Sequence, residues 1–158
     1  MEKGISLNKF ISSSGFCSRR KADDIIDQGR VTINGRVARK GNRVHEKDKV
    51  AIDGEQLFNT KKKVYMALNK PKGIETTANP NIPNNIIDFI GYSQRIFPIG
   101  RLDKKSEGLI LLTNDGDLAN KIIHARYGHE KEYYVEVNRP IDNAFIDRME
   151  EGVMIQGR

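Results

Sequence analysis

The sequence predicts an α+β chain in two modules: a small ααβ-type module, then part of a mixed, mainly antiparallel sheet with flanking helices. Three observations carry this reading. Two amphipathic helical runs precede Gly29, the turn dipeptides Asn34-Gly35 and Asp53-Gly54 join short β-branched runs, and strand-like segments alternate with helix-like ones from residue 64 onward.

Leu7, Phe10 and Ile11 recur at helical spacing, and Gly15 is a left-handed stop behind three serines. Ser18 is a good N-cap for a second helix, which places Ala22, Ile25 and Ile26 on one face before Gly29 ends it. The sequences Val31-Thr32-Ile33 and Arg36-Val37-Ala38 flank Asn34-Gly35 as a hairpin, and Lys49-Val50-Ala51-Ile52 leads into a second turn at Asp53-Gly54. These elements set a first domain over 1–57. The lysine-rich segment 58–63 has neither period and reads as a linker, leaving a second domain over 64–158.

In that second domain Val64-Tyr65-Met66-Ala67-Leu68 reads as a strand broken by Asn69-Lys70-Pro71-Lys72-Gly73. Residues 79–85 form a loop and Ile86, Ile87, Phe89 and Ile90 a short helix. The aliphatic run 109–113 predicts a buried strand. Asp115 caps a helix with Leu118, Ile122 and Ile123 on one face, and residues 131–137 alternate as a strand. Asp142 caps a last helix whose Phe145, Ile146 and Met149 point inward, and Val153-Met154-Ile155 begins another strand.

Composition narrows the function. The net charge is +6, and residues 1–60 hold 12 Lys/Arg against 8 Asp/Glu, so the first domain carries most of the positive field. An excess of this kind favours an anionic partner, nucleic acid being the commonest. One cysteine, Cys17, excludes an intrachain disulfide and a cysteine-based zinc site, and Cys17 itself reads as a small packing residue. The spacing of His45, His124 and His129 suggests no metal site. No apolar run suits a membrane span or a signal peptide, so a cytoplasmic setting is expected.

Two features invite chemistry. Arg19, Arg20 and Lys21 occupy the first turn of a helix, where the macrodipole disfavours cations. They are either screened surface charges or, with the free backbone N–H groups, a phosphate grip extended by Arg36, Arg39, Lys40 and Arg43. The other feature is Asp103, a carboxylate among Arg101, Lys104 and Lys105, with Gly100 and Gly108 permitting close backbone approach. It suits an exposed ion pair, or a nucleophile or proton acceptor held ionised in a dry pocket.

The segments Leu7-Asn8-Lys9-Phe10-Ile11, Gly15-Phe16-Cys17-Ser18-Arg19-Arg20-Lys21-Ala22-Asp23 and Gly29-Arg30-Val31-Thr32-Ile33-Asn34-Gly35, with Val44, resemble the alpha-L RNA-binding domain over residues 5–52. The resemblance implies that Arg19, Arg20 and Lys21 grip the backbone of structured RNA.

A second resemblance follows in order: Lys70-Pro71-Lys72-Gly73, Phe97-Pro98-Ile99-Gly100-Arg101-Leu102-Asp103, the run from Ser106 to Leu118, and His129-Glu130-Lys131-Glu132-Tyr133-Tyr134-Val135. These resemble ribosomal RNA pseudouridine synthases in which an alpha-L domain precedes the catalytic one, with the large-subunit enzymes nearest in wording. The resemblance implies cofactor-free conversion of a uridine to pseudouridine. Asp103 would be the catalytic carboxylate, attacking the ribose anomeric carbon or the uracil ring or assisting a glycal. Tyr133 would stack on the base and take the proton during re-aromatisation, a packing role for this aromatic being met equally by Tyr134. Arg101 would hold the flipped nucleotide, and Lys131, Lys70 and Lys72 would contact RNA.

Members of that group continue into further strands and a basic segment resembling Gly-x-x-Arg-Gln-Ile-Arg-Arg-Met, whose arginine pairs with the catalytic Asp. Nothing here matches it, so a C-terminally truncated chain is expected, with Asp103 unpaired and strand edges open to self-association. Two other readings stand beside the isomerase: a non-catalytic ribosomal-RNA-binding protein or inactive fragment, and a carboxylate hydrolase, which lacks an obvious second acid.

Overall fold

A computed structural model of the chain describes residues 4–59 and 62–154. They fall in two compact units, Met1–Gly128 and His129–Arg158. The architecture is α+β with antiparallel sheets. Among the described residues no helix is long and apolar enough to cross a membrane.

The first unit begins with β1 (Ile5–Ser6), α1 (Leu7–Ser13) and α2 (Arg19–Asp27). The Ser18 side chain accepts from the Lys21 amide at 3.2 Å, supplying the expected cap, and Ala22, Ile25 and Ile26 are buried. Strands β2 (Val31–Ile33) and β3 (Arg36–Val37) pair Thr32 with Val37 and Ile33 with Arg36, leaving a two-residue turn at Asn34 and Gly35. Both turn residues have positive φ, 51° and 78°, the condition that Asn-Gly meets cheaply. Strand β4 (Arg43–Val44) pairs with β1, a short bridge without an alternating pattern to announce it. Strands β5 (Val50–Ile52) and β6 (Glu55–Gln56) turn at Asp53-Gly54, and the sheet order is β3-β2-β5-β6. Leu7, Ile11, Ile25, Ile26, Val31, Val50 and Ile52 are among the buried residues of the core that these elements enclose. Cys17 packs against it, and burial raises its thiol above the ordinary value, as befits a packing residue.

A second core in the same unit lies under a three-stranded sheet, ordered β7-β9-β8: β7 (Tyr65–Lys70), β8 (Phe97–Ile99) and β9 (Gly108–Thr113). The linker residues Thr60 and Lys61 lie outside the described residues. Strand β7 runs two residues further than expected, because Asn69 and Lys70 still pair with Leu109 and Gly108 before Pro71 ends the ladder. Helix α3 (Ile86–Ile90) is capped by the buried Asn85, whose side chain accepts from the amides of Ile87 and Asp88, and Gly91 closes it at φ 62°. Ile86, Ile96, Ile110 and Leu112 form the core.

One expectation of burial is corrected here. Among the described residues only one face of β9 is covered: Ile110 and Leu112 are buried, whereas Leu109 is 71% exposed and Leu111 faces outward with it. On α4 (Gly116–Ile123) the buried residue is Ala119, while Ile122 and Ile123 are exposed. Lys9 on α1 donates to both carboxylate oxygens of Asp117 on α4, at 2.6 and 2.8 Å, joining the two cores' elements across the surface. A 3₁₀ turn (Ala125–Tyr127) ends the unit.

In the second unit, residues 131–137 form no strand. An alternating sequence becomes a strand only where a neighbour takes its backbone hydrogen bonds, and among the described residues none pairs with it. Helix α5 (Asn143–Glu150) forms as expected, with the Asp142 side chain accepting from the Phe145 amide at 2.7 Å. Its Phe145, Ile146 and Met149 are exposed rather than inward. Val153 and Met154 are outside any strand, and Ile155 lies outside the described residues.

Candidate active site and RNA-binding face

The loop 100–107 joins β8 to β9 and carries both Arg101 and Asp103. Gly100 at φ 78° turns the chain out of β8, and Gly108 at φ 135° readmits it to β9. Between them Leu102 packs into the second core, while Arg101 and Asp103 on either side of it are exposed. One apolar side chain thus tacks the loop down and leaves two charged ones facing solvent. Arg101 borders an open cleft of about 910 Å³, together with Glu75, Thr76, Thr77, Pro98 and Gly100.

Two contacts fix the backbone around Asp103. The buried Thr76 hydroxyl donates to the Leu102 carbonyl at 2.6 Å and accepts from the Leu102 amide at 3.3 Å. On the other side, the Gly73 amide donates to the Lys104 carbonyl at 2.7 Å. A turn closes the loop itself, from the Ser106 amide to the Asp103 carbonyl at 3.0 Å. Of the two settings weighed for Asp103, an exposed ion pair and a dry pocket, neither is formed: the side chain is exposed, and among the described residues no cation pairs with it, Arg101 included, in line with the expectation that it stands unpaired.

Lys70 requires a correction. It is 0% exposed, so it cannot touch RNA; its ammonium donates to the carbonyls of Pro71 at 3.0 Å and Ile74 at 2.9 Å. A buried ammonium is tolerated because these carbonyls replace water. The result is a folded 71–74 turn that presents the Gly73 amide and leads into Thr76. Lys72 is exposed and sits 3.4 Å from Glu107. The Lys70-Pro71-Lys72-Gly73 motif was read for RNA contact, and nothing signalled the structural roles of Lys70 and Thr76 beforehand.

Tyr133 and Lys131 lie in the second unit, both exposed, Tyr133 by 78%. The strand that was to hold them is absent.

On the first module, Arg19, Arg20, Lys21 and Arg36 are all exposed, the first three on the opening turn of α2. Arg19 lines a concavity of about 300 Å³ with Asn8, Asp23, Lys40 and Asn42. The wider positive face is partly committed: Lys40 pairs with Asp27, and the Arg43 guanidinium donates to the Gly4 carbonyl at 2.7 Å.

Each of the two modules matches a known family. Residues 64–154 match the family described as RNA pseudouridylate synthase, and residues 6–50 match the S4 domain. The chain belongs to the RNA pseudouridylate synthase family and carries an S4 domain ahead of the family's own region. It is 49% identical over 158 residues to the dual-specificity RNA pseudouridine synthase RluF of Escherichia coli strain K12, a match covering 99% of this chain and 54% of that protein. It is 35% identical over 153 residues to the ribosomal large subunit pseudouridine synthase B of Bacillus subtilis strain 168, covering 95% of this chain and 62% of the relative. The chain thus spans between about half and two thirds of the length of these relatives. A solved structure titled as a crystal structure of pseudouridylate synthase superposes with a TM-score of 0.52 at 28% identity, covering 98% of this chain and 67% of that one.

Proposed function

We propose that the protein is an RNA uridine isomerase that converts a specific uridine of ribosomal RNA, in the large subunit, to pseudouridine without a cofactor. One observation carries the reading: the exposed carboxylate of Asp103 stands on a loop whose backbone is fixed on both sides of it and whose Gly100 and Arg101 border a cleft. The net reaction is an isomerisation. The bond from the ribose anomeric carbon to the ring nitrogen breaks, the ring turns, a bond to ring carbon forms, and the proton leaves that carbon while the nitrogen regains one. A carboxylate serves either by attacking the anomeric carbon or the ring, or by assisting a glycal. The base must leave its stack to reach it, and Arg101 at the cleft suits a phosphate or ribose contact on the flipped nucleotide. Tyr133 is the residue proposed to stack on the base and accept the proton, and Lys131 and Lys72 to meet phosphates. Arg19, Arg20, Lys21 and Arg36 supply the grip on the RNA backbone.

The test is Asp103→Ala in this chain and in a full-length relative, with pseudouridine mapped in ribosomal RNA. Loss of the modification with RNA binding retained is expected; normal isomerisation by the variant would sink the assignment. Mapping ribosomal RNA from cells lacking the protein identifies the uridine. A second reading, a non-catalytic ribosomal-RNA-binding protein, is favoured by the unpaired state of Asp103 among the described residues. It predicts binding without turnover in the wild-type chain.

A further inference from the structure

We propose that Thr76 is a positioning residue for Asp103, a clamp that sets where the carboxylate stands in the reaction. The inference rests on the isomerase reading and deepens it.

Thr76 is 4% exposed, so little of it meets bulk water even though it borders the open cleft. Both of its bonding capacities go to one residue, donating to the Leu102 carbonyl and accepting from the Leu102 amide. The side chain does for Leu102 what a neighbouring strand would do in a ladder, at a point where loop 100–107 has already left β8. The residue type suits the task. A β-branched side chain has few rotamers to lose, and its methyl fills space that a serine would leave.

The peptide unit held on one side of Leu102 leads from Arg101 and on the other into Asp103, so a shift of the clamp moves both exposed charges. The Gly73 amide bond to Lys104 pins the far side, and it comes from the turn that the buried Lys70 ammonium folds. Asp103 therefore sits between two anchors that both belong to the segment after β7. Geometry at a reacting centre is steep: a displacement of about 1 Å from a change away from the chemistry costs on the order of 10²-fold in rate. Thr76 borders the cleft, but its hydroxyl is engaged by Leu102, and it acts through the backbone it holds.

Three variants of the chain separate this role from mere support: Thr76→Val, which keeps the shape and removes the hydroxyl; Thr76→Ser, which keeps the hydroxyl; and Asp103→Asn as a reference. Turnover is read as pseudouridine formed on unmodified ribosomal RNA transcripts, with melting curves recorded alongside. Thr76→Val is expected to lower kcat about 10²-fold with a much smaller rise in KM, and Thr76→Ser to restore most of kcat. A parallel fall in kcat and rise in KM, or equal damage in the valine and serine variants, overturns the proposal. Amide exchange of the labelled wild-type chain, followed by NMR, needs neither turnover nor a folded variant. The Leu102 amide is expected to exchange more slowly than those of Asp103 and Lys105; equal rates refute the clamp. A wild-type chain that forms no pseudouridine contradicts the isomerase reading, and the exchange comparison then decides the clamp by itself.

Discussion

Lys63 places its ammonium 2.8 Å from one carboxylate oxygen of Asp115, the same oxygen that accepts the Tyr65 hydroxyl at 3.1 Å. The other oxygen faces the amides of Asp117 and Leu118 at the start of α4. One carboxylate thus holds the end of the linker, the first residue of β7 and the N-terminus of a helix. The Lys63 hydrogen bond is the largest cause holding its pKa at about 2, below the ordinary 3.8.

The sign of the pH effect follows from that depression. A carboxyl group that binds its proton less readily when folded contributes stability that is complete above the unfolded value near 3.8 and is lost as pH falls toward about 2. Urea unfolding in steps through this window should show the loss in the wild type. Asp115→Asn should flatten that part of the profile while keeping the cap, and Asp115→Ala should cost about 1 kcal/mol more through removal of the cap. An unchanged profile in the asparagine variant would show that another acid governs the window.

Lys70→Met separates burial from RNA contact. The substitution keeps most of the volume and removes the ammonium from the carbonyls of Pro71 and Ile74. Loss of such charge-assisted bonds is expected to destabilise by roughly 1.5–3 kcal/mol, visible as a lower Tm. At temperatures where the variant is folded, RNA affinity should match the wild type. A variant with normal Tm and weakened binding would restore Lys70 to the RNA-contact role.

Replacing Arg19, Arg20 and Lys21 together with alanine should act in the opposite sense. These cations sit at the positive end of α2, so their removal should leave Tm unchanged or slightly raised. RNA binding should weaken, and the slope of log affinity against log salt should flatten by about 0.9 for each duplex phosphate that is no longer neutralised. Equal slopes for the two proteins would mark these side chains as screened surface charges.

Local chemistry was legible in the sequence. The cap at Ser18, the turns at Asn34-Gly35 and Asp53-Gly54, and the caps at Asp115 and Asp142 each depend on residues within a few positions, and all five formed. Burial was legible where the covering element is near in sequence, as for Ile25 and Ile26, and on one face of β9, at Ile110 and Leu112. Leu109 and Phe145 looked buried because they are apolar, but covering them takes a surface that apolarity alone does not supply. The same holds for residues 131–137, whose alternation needs a partner strand. Lys70 misled for the converse reason: lysine is almost never fully buried, and only the two carbonyls that the following turn aims at it make it so. At the site, the Gly-Arg-Leu-Asp stretch pointed to the loop, whereas Thr76 lies 26 positions from the residue it holds and left no trace in the pattern.

The bond between Lys9 and Asp117 links residues 108 positions apart, with side chains 33% and 68% exposed. A pair so open to solvent weakens as ions are added, through the same screening that loosens basic side chains from phosphates. Ionic strength therefore turns one dial with two effects: it sets how strongly the basic start of α2 attracts an anionic partner and how firmly α1 stays fastened to the helix that follows β9. Low salt tightens the hold and the alignment together.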